Sequence, residues 1–403
     1  MKILVVSQYF WPESFLINDI VRILDEQGHE VVVATGKPNY PDGRIFDGYR
    51  AGGSLRERYL GKIDVFRVPL WPRGQGGAKN LILNYFSFVL AGLVFLPWML
   101  RKREFDAILV FAPSPILQAI PAIPLKWLKK AKLALWIQDL WPESLAATGF
   151  IKSPFLLRAV GWLVRGIYRC CDTLLVQSHA FSESVSRYAV RDKIVYYPNS
   201  MDARPLVGAL PISSELSELL EAHFCVVFAG NVGTAQALDT LLQAAVHLKD
   251  DADIRLVVVG SGSRLAWLQA QKTLLGLDNL VLAGRYPSQA MPQIFERSAA
   301  LLVSLNSEAI FAQTIPSKIQ AYLAAGRPII ACLDGEGARI IQEAGAGISS
   351  PAEQVLPLVA AIREMRSCSN AEREAMGLSG RAYFDQHFDM DVQVRHLVDL
   401  LQR

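Results

Sequence analysis

The feature that most constrains this chain is an alternation. Short apolar runs at 2–7, 30–35, 63–69, 107–111, 133–138, 173–177 and 193–197 recur, and most are separated by helical spacing. Ile17, Ile20, Val21 and Leu24 ahead of Gly28 are one such helical stretch. Near-continuous apolar strands with helices between them predict a parallel sheet covered on both faces. From 201 to about 222 the pattern lapses into strandless, proline-bearing sequence, and a second series follows at 224–229, 254–260, 280–283, 300–303, 328–331 and 347–349. The 403 residues therefore read as α/β, with two doubly wound parallel-sheet domains at 1–202 and 223–380 and a linker at 203–222. The closing segment 381–403, with Val394, Leu397, Val398 and Leu401 on one helix face, is expected to pack back on the first domain. Ligands of such sheets bind outside the carboxyl ends of the strands, so the loops there are where a ligand is expected.

Composition narrows the function. Hydrophobic residues at 51% and charged residues at 20% supply a large core and exclude disorder as the main state. A formal charge of +3 disfavours a dedicated nucleic-acid binder. Cys170, Cys171, Cys225, Cys332 and Cys368 form no C-x-x-C pair and read as buried thiols of a reducing compartment. The opening MKILVVSQYF reads as a strand rather than a signal peptide, which sets an intracellular expectation.

A nicotinamide cofactor fits poorly. Its fingerprint needs G-x-G-x-x-G after a strand, but the first strand runs into Ser7-Gln8-Tyr9-Phe10. Gly260-Ser261-Gly262 lacks the third glycine, because Leu265 stands there, and there is no P-loop. The segment 308–328 says more. Pro316 and Ser317 suit a helix start, and Gly326 suits its end before the strand at 328. A helix N-terminus is a ready anion site. Lys318 in the first turn opposes the dipole preference, which makes sense if an anion sits between; a solvated lysine on an ordinary helix is the plainer alternative.

At this point motifs in order along the chain carry a resemblance. They are Ser-Gln-Tyr-Phe-Trp-Pro-Glu-Ser (7–14), Gly-Lys-Pro-Asn-Tyr-Pro-Asp-Gly (36–43), Gln-Asp-Leu-Trp-Pro-Glu (138–143), Pro-Asn-Ser-Met-Asp (198–202), Gly-Asn-Val-Gly-Thr-Ala-Gln (230–236), Gly-Arg-Tyr-Pro (284–287) and Pro-Ser-Lys (316–318). The chain resembles the retaining family 4 glycosyltransferases of bacterial surface polysaccharide synthesis. Within them it is most similar to colanic-acid transferases and to O-antigen or capsule transferases of N-acetyl-L-fucosamine. The resemblance implies a GT-B fold, two Rossmann-like domains facing across a cleft, with the second holding a nucleotide sugar and the first presenting the acceptor. It places Asn231 and Gly233 by the diphosphate and donor sugar, Arg285 and Tyr286 beside the base, and Ser317 and Lys318 at the phosphates. Asp139 stands where relatives have a His-Asp pair, with Gln138 in place of the histidine.

Two departures follow. Relatives carry two glutamates eight positions apart where this chain has Gln313 and Ala321, so Glu308 is the substitute candidate for the ribose, with a surface residue as the equal alternative. Relatives also place Arg and Lys where Asn231 and Gln236 stand, which shifts the diphosphate charge balance onto Lys318 and Arg264. No D-x-D motif is placed to hold a divalent ion, so metal-independent action without a cofactor is expected.

In the first domain Trp-Pro-Glu-Ser occurs at 11–14 and again at 141–144, each after a strand. Glu13 is the catalytic candidate of that domain beside Asp139, although Pro-Glu is equally good helix-start chemistry for Glu13 and Glu143. Tyr9, Trp11, Asn39 and Tyr40 are the acceptor-binding candidates, while His179 and His223 read as structural.

The apolar segment 81–100 is long enough to span a bilayer. The strands on its two sides read as one sheet, which opposes spanning. A monotopic attachment to the inner leaflet is expected, with Lys126, Lys129, Lys130 and Lys132 on anionic head groups; a buried core helix is the alternative. The reading is transfer of a sugar, N-acetyl-L-fucosamine or another N-acetylated aminosugar, from a UDP-sugar to a lipid-diphosphate-linked saccharide, with retention implied by the resemblance alone. A UDP-sugar 2-epimerase of the same fold and a non-catalytic membrane scaffold are the rivals.

Overall fold

The computed structural model describes residues 1–74, 77–204, 208 and 210–402. The chain forms two units, Met1–Asn199 with Met390–Arg403, and Ser200–Asp389.

The first unit is built on β1 (Lys2–Val6), β2 (Glu30–Thr35), β3 (Leu55–Tyr59), β4 (Ile63–Arg67), β5 (Ala107–Ala112), β6 (Lys132–Ile137), β7 (Thr173–Val176) and β8 (Ile194–Tyr196). Their order is β3-β4-β2-β1-β5-β6-β7-β8. All neighbours are parallel except β3 on β4. The antiparallel edge strand is a correction, since Leu-Arg-Glu-Arg-Tyr has no apolar run to announce it. One face of the sheet is covered by α1 (Leu16–Glu26) together with α16 (Met390–Gln402), whose Val394, Leu397 and Val398 join that core. The other face carries α2 (Ala78–Met99), α3 (Ala122–Lys129), α4 (Glu143–Ala147), α5 (Pro154–Cys170) and α6 (His179–Ser186). β4 and β5 flank α2 and lie in the same sheet, so the apolar helix is a layer of this unit.

The second unit contains α7 (Ser214–Ala222), β9 (Phe224–Ala229), α8 (Leu238–His247), β10 (Ile254–Val259), α9 (Leu265–Leu275), β11 (Leu280–Gly284) and α10 (Met291–Arg297). It continues through β12 (Ala300–Ser304), α11 (Ala309–Ala312), α12 (Ser317–Ala324), β13 (Ile329–Cys332), α13 (Glu336–Glu343), β14 (Gly347–Ser350), α14 (Val355–Ser367) and α15 (Asn370–His387). The sheet is wholly parallel in the order β11-β10-β9-β12-β13-β14. The strand order reverses between β9 and β12, and that switch point is where such sheets bind ligands.

Two boundaries differ from expectation. In the segment 203–222, Pro205, Leu206, Val207 and Ala209 lie outside the described residues, and 214–222 is helix α7 rather than linker. Ser213 caps α7 by accepting from the Leu216 amide at 3.3 Å, and Leu216 and Leu220 are buried in the second core. Residues 381–387 belong to α15, which ends before the return helix at Met390. The five cysteines are free, with Cys171, Cys225 and Cys332 buried and the other two half-buried.

Candidate active site

In the second unit, the loops after β9, β10 and β12 converge. β9 is followed by Gly230, whose φ of 129° suits glycine, and a Cβ there would lie 2.8 Å from Cε of Lys318. A Cβ at Gly260 would meet the Gly230 carbonyl at 1.8 Å, and one at Gly262 the Val232 carbonyl at 2.3 Å. The two glycines after β10 therefore exist to let the β9 loop lie against them, which explains a pair that lacks the dinucleotide pattern. Val232 donates to the Ser261 carbonyl (2.9 Å), and Arg264 to the Val232 carbonyl (3.0 Å). From β12, Ser304 Oγ donates to the Gln236 carbonyl at 2.7 Å, and Asn306 Oδ1 accepts from the Ala237 amide at 2.9 Å. The loop is held from both sides.

Lys318 sits in the first turn of α12, beneath this loop. Its Nζ donates to Gln236 Oε1 at 2.5 Å and lies 3.6 Å from the centre of the Phe228 ring. Among the described residues no carboxylate pairs with it. Burial without a counter-charge lowers its pKa to about 7. Tyr322, one turn on, accepts from the Ala229 amide at 3.0 Å and fixes α12 to the end of β9. Together these make a held cation at the switch point beside the start of an eight-residue helix whose N-cap, Pro316, supplies no side-chain cap.

The other donor-site candidates lie on the loops after β9, β10, β11 and β12 and at the start of α12. Asn231 is exposed at the loop tip, Gly233 is buried behind it, and Ser317 is exposed as the first residue of α12. Arg264, the second cation expected at the diphosphate, pairs through Nη2 with Asp239 at 3.1 Å, and its guanidinium stacks 3.8 Å from the Trp267 ring. Arg285 is exposed after β11, and the Tyr286 hydroxyl lies 3.1 Å from Ser213 Oγ. Glu308 is exposed at the N-cap of α11 and Gln313 is its C-cap, so both belong to the loop after β12.

In the first unit the structure gives Glu13 a different part from the catalytic one expected. Oε1 accepts from the amides of Asn39 and Tyr40, both at 2.8 Å, and Oε2 accepts from Phe10 at 3.2 Å. Burial pushes this carboxyl up to about 6 although the three N–H donors pull it down. Glu13 thus ties the loop after β1 to the loop after β2. Asn39 is likewise occupied: fully buried, it donates to the Lys37 carbonyl and accepts from the Arg73 amide and Asn84 Nδ2. Tyr9 is buried, its hydroxyl accepting from Arg73 at 3.0 Å. Of the four acceptor candidates, Trp11 and Tyr40 present surface. Asp139, after β6, is half-exposed, with Oδ2 accepting from Trp141 Nε1 at 3.0 Å. Gln138 Nε2, in the position of the missing histidine, is buried without a partner among the described residues.

Sequence reasoning missed the buried network beneath these loops. Asn84 of α2 donates to Asn39 Oδ1 (3.2 Å) and to the Trp71 carbonyl (2.6 Å), and accepts from Gln8 Nε2 at 2.6 Å. The backbone N–H of Gln8 in turn donates to Gln118 Oε1 at 2.8 Å. Arg67, fully buried, donates to the Gly36 carbonyl at 2.9 Å and also to Glu57 and the Trp11 carbonyl. A signal was available: Asn84 is a lone amide inside an otherwise apolar segment. Among the described residues no cluster of three or more His, Cys, Asp or Glu could hold a metal ion.

This pair of units is a GT-B fold. Anabaena HepE in complex with UDP superposes at a TM-score of 0.70, with 14% identity over 100% of this chain and 99% of that one. The sucrose-phosphate synthase of Thermosynechococcus elongatus gives 0.71, with 14% identity over 99% and 98%. Residues 16–200 match the family description "Glycosyl transferase 4-like domain", and residues 223–367 match "Glycosyl transferases group 1". The chain belongs to the glycosyltransferases built from this pair of domains. It is 25% identical over 348 residues, 81% of this chain and 82% of the relative, to WcaI of Escherichia coli (strain K12), named for colanic acid biosynthesis and glycosyl transfer. WbjE of Pseudomonas aeruginosa, named as a glycosyltransferase, is 25% identical over 276 residues, 66% of this chain and 67% of that one.

Proposed function

We propose that this glycosyltransferase builds a surface polysaccharide, moving a sugar from a UDP-linked donor to a lipid-diphosphate-linked saccharide with retention at the anomeric carbon. The observation that carries the reading is Lys318, a cation held at the switch point with an amide and a ring for company and, among the described residues, no carboxylate. Such a group is stabilised when a diphosphate arrives. The names of WcaI and the UDP complex of HepE support the polysaccharide role and the nucleotide. The donor sugar proposed is N-acetyl-L-fucosamine or another N-acetylated aminosugar.

In the reaction the bond from C1 to the β-phosphate oxygen breaks with its electron pair leaving on UDP, the acceptor hydroxyl oxygen bonds to C1, and its proton passes to the departing phosphate oxygen. Charge develops on the leaving UDP, where Lys318 and the first amides of α12 meet it. Ser317, Asn231 and the Gly233 backbone line the approach to the phosphates, with Arg285 and Tyr286 for the base and Glu308 or Gln313 for the ribose. Asp139 orients the donor sugar or the acceptor. No ion is needed on the diphosphate in this scheme, so turnover proceeds without a divalent metal.

The acceptor side is assigned to Trp11 and Tyr40, the surface-presenting aromatics of the loops that Glu13 fastens. A lipid-linked acceptor implies attachment to the inner leaflet of the plasma membrane. α2 supports this: Phe86, Leu90, Val94 and Trp98 form an exposed apolar row along it while Phe88, Gly92 and Leu96 face the core. Calorimetry with UDP, followed by transfer of labelled sugar from a panel of UDP-sugars to a prenyl-diphosphate sugar, tests the reading. UDP binding with acceptor-dependent transfer supports it. Donor turnover without acceptor would make the protein an epimerase, and absence of UDP binding would make it a scaffold.

A further inference from the structure

The basic half of the membrane face was expected on the lysines of 126–132. The structure turns two of these away. Lys126 Nζ donates to the Cys170 carbonyl (2.9 Å) and pairs with Asp172 at 2.7 Å. Lys129 Nζ donates to the carbonyls of Leu100 (2.7 Å) and Arg103 (2.8 Å). They fasten α3 to its neighbours.

Helix α5 offers a better candidate. It shares one core with α2 and α3 on the same sheet face, and Gly161, Val164, Ile167 and Tyr168 point inward. Its outward surface is divided. Phe155 and Trp162 are each 73% exposed, with Leu156 and Leu163 beside them. At 100° per residue, Arg158, Arg165 and Arg169 fall on the adjoining flank, and the helix carries no acid. Two grooves open along the arginine flank, of about 420 and 380 Å³. Arg165 lines both, joined by Arg158 in the first and Arg169 in the second. One carboxylate near this flank is Glu143, 3.9 Å from Arg187 and accepting from the Tyr188 hydroxyl at 3.4 Å.

We propose that α5 lies in the plane of an anionic bilayer and is the head-group-binding half of a monotopic face whose other half is α2. Phe155, Leu156, Trp162 and Leu163 enter the acyl boundary, and Arg158, Arg165 and Arg169 take lipid phosphates. The proposal rests on the reading that α2 meets a bilayer. Two features favour lipid over protein as the occupant. Cationic side chains border the apolar strip, which complements an anionic leaflet. Trp98, Trp127 and Trp162, one from each helix or its end, are all at least 60% exposed on this layer, and tryptophan is the residue that settles at the head-group level.

The test is flotation of the full chain with vesicles of phosphatidylcholine alone or with phosphatidylglycerol. The parent should bind the anionic vesicles more tightly, and less so in high salt. Replacing Arg158, Arg165 and Arg169 together by Gln should remove most of that preference, at about fivefold per arginine. Phe155→Glu with Trp162→Glu should release the protein from both vesicles, with the thermal transition and UDP affinity unchanged as checks on folding. If these α5 variants float like the parent while Leu90→Glu with Val94→Glu does not, the α5 assignment is wrong and the α2 reading stands. If the parent itself does not float, or the α2 variant floats equally well, the membrane reading fails and takes this proposal with it. If the α5 variant floats normally but turns a lipid-free dimer into a monomer, the face is an interface between copies and the proposal is overturned.

Discussion

Glu13, buried, and Lys318, half-buried, are ionisable groups behind the carboxyl end of a parallel strand, one in each unit. Glu13 is surrounded by donors: three backbone amides reach its two oxygens. Lys318 has an amide oxygen and a ring, and its charge is unanswered. A buried charge that is fully bonded holds a structure together, whereas one that is not is destabilised until a ligand of opposite sign arrives. The difference separates scaffold from site. In the first unit the loops are already fastened; in the second, a cation waits.

The largest effect that would sharpen this contrast is Lys318→Ala. A charge-assisted hydrogen bond is worth about 1.5–3 kcal/mol, so activity should fall roughly 10- to 150-fold. The loss should appear in kcat more than in KM, because the contact strengthens as UDP leaves. Steady-state kinetics decide it: kcat within about twofold of the parent would make Lys318 a structural lysine. Lys318→Met, which keeps the stem under Phe228, should lose UDP binding while melting no lower than the parent, since it removes an uncompensated charge.

Glu13→Gln should act on the other side of the comparison. Its amide nitrogen would confront one of the N–H donors, costing about 1–3 kcal/mol of stability in the first unit. Thermal unfolding and acceptor KM should report the change, with UDP affinity in calorimetry left alone. Lost UDP binding with normal stability would reverse the roles assigned to the two groups.

Smaller again is Arg264→Ala. Because this arginine is paired with the exposed Asp239, its removal should change UDP affinity by no more than about threefold, consistent with a surface pair worth less than about 1 kcal/mol. A loss equal to that of Lys318→Ala would show that Arg264 leaves Asp239 to meet the phosphates. Chelation should have the least effect: turnover in EDTA should match turnover in added Mg2+, and complete loss restored by the ion would overturn the charge accounting.

These contrasts bear on what could be read in advance. The alternation of strand and helix was legible because parallel strands buried on both faces must be apolar, as all six buried residues of β5 are. β3 escaped because an edge strand needs no such run, and α7 was masked by the prolines before it. The position of Lys318 at a helix start was legible from Pro316 and Gly326. Its partner was not, because Gln236 is 82 residues away and only folding brings the two together. Glu13 looked like any Pro-Glu helix start. Its twin in the repeated tetrapeptide, Glu143, does open a helix, α4, whereas Glu13 folds under two loops. Local sequence cannot distinguish them, since the difference lies in Asn39 and Tyr40. Lys126 and Lys129 looked free for the same reason, their partners being carbonyls of other segments.

The central claim is that the unanswered charge of Lys318 receives the diphosphate, and proton uptake measures it directly. With its pKa lowered to about 7 in the free protein, Lys318 is mostly neutral at pH 8 and must gain a proton to meet UDP. UDP affinity should therefore decline as pH rises above 7, by up to about tenfold per unit. Calorimetry at pH 8 in buffers of different ionisation enthalpy should give an uptake approaching one proton per UDP, and Lys318→Met should abolish that uptake. Binding without proton uptake, or the same uptake in the methionine variant, would contradict the account.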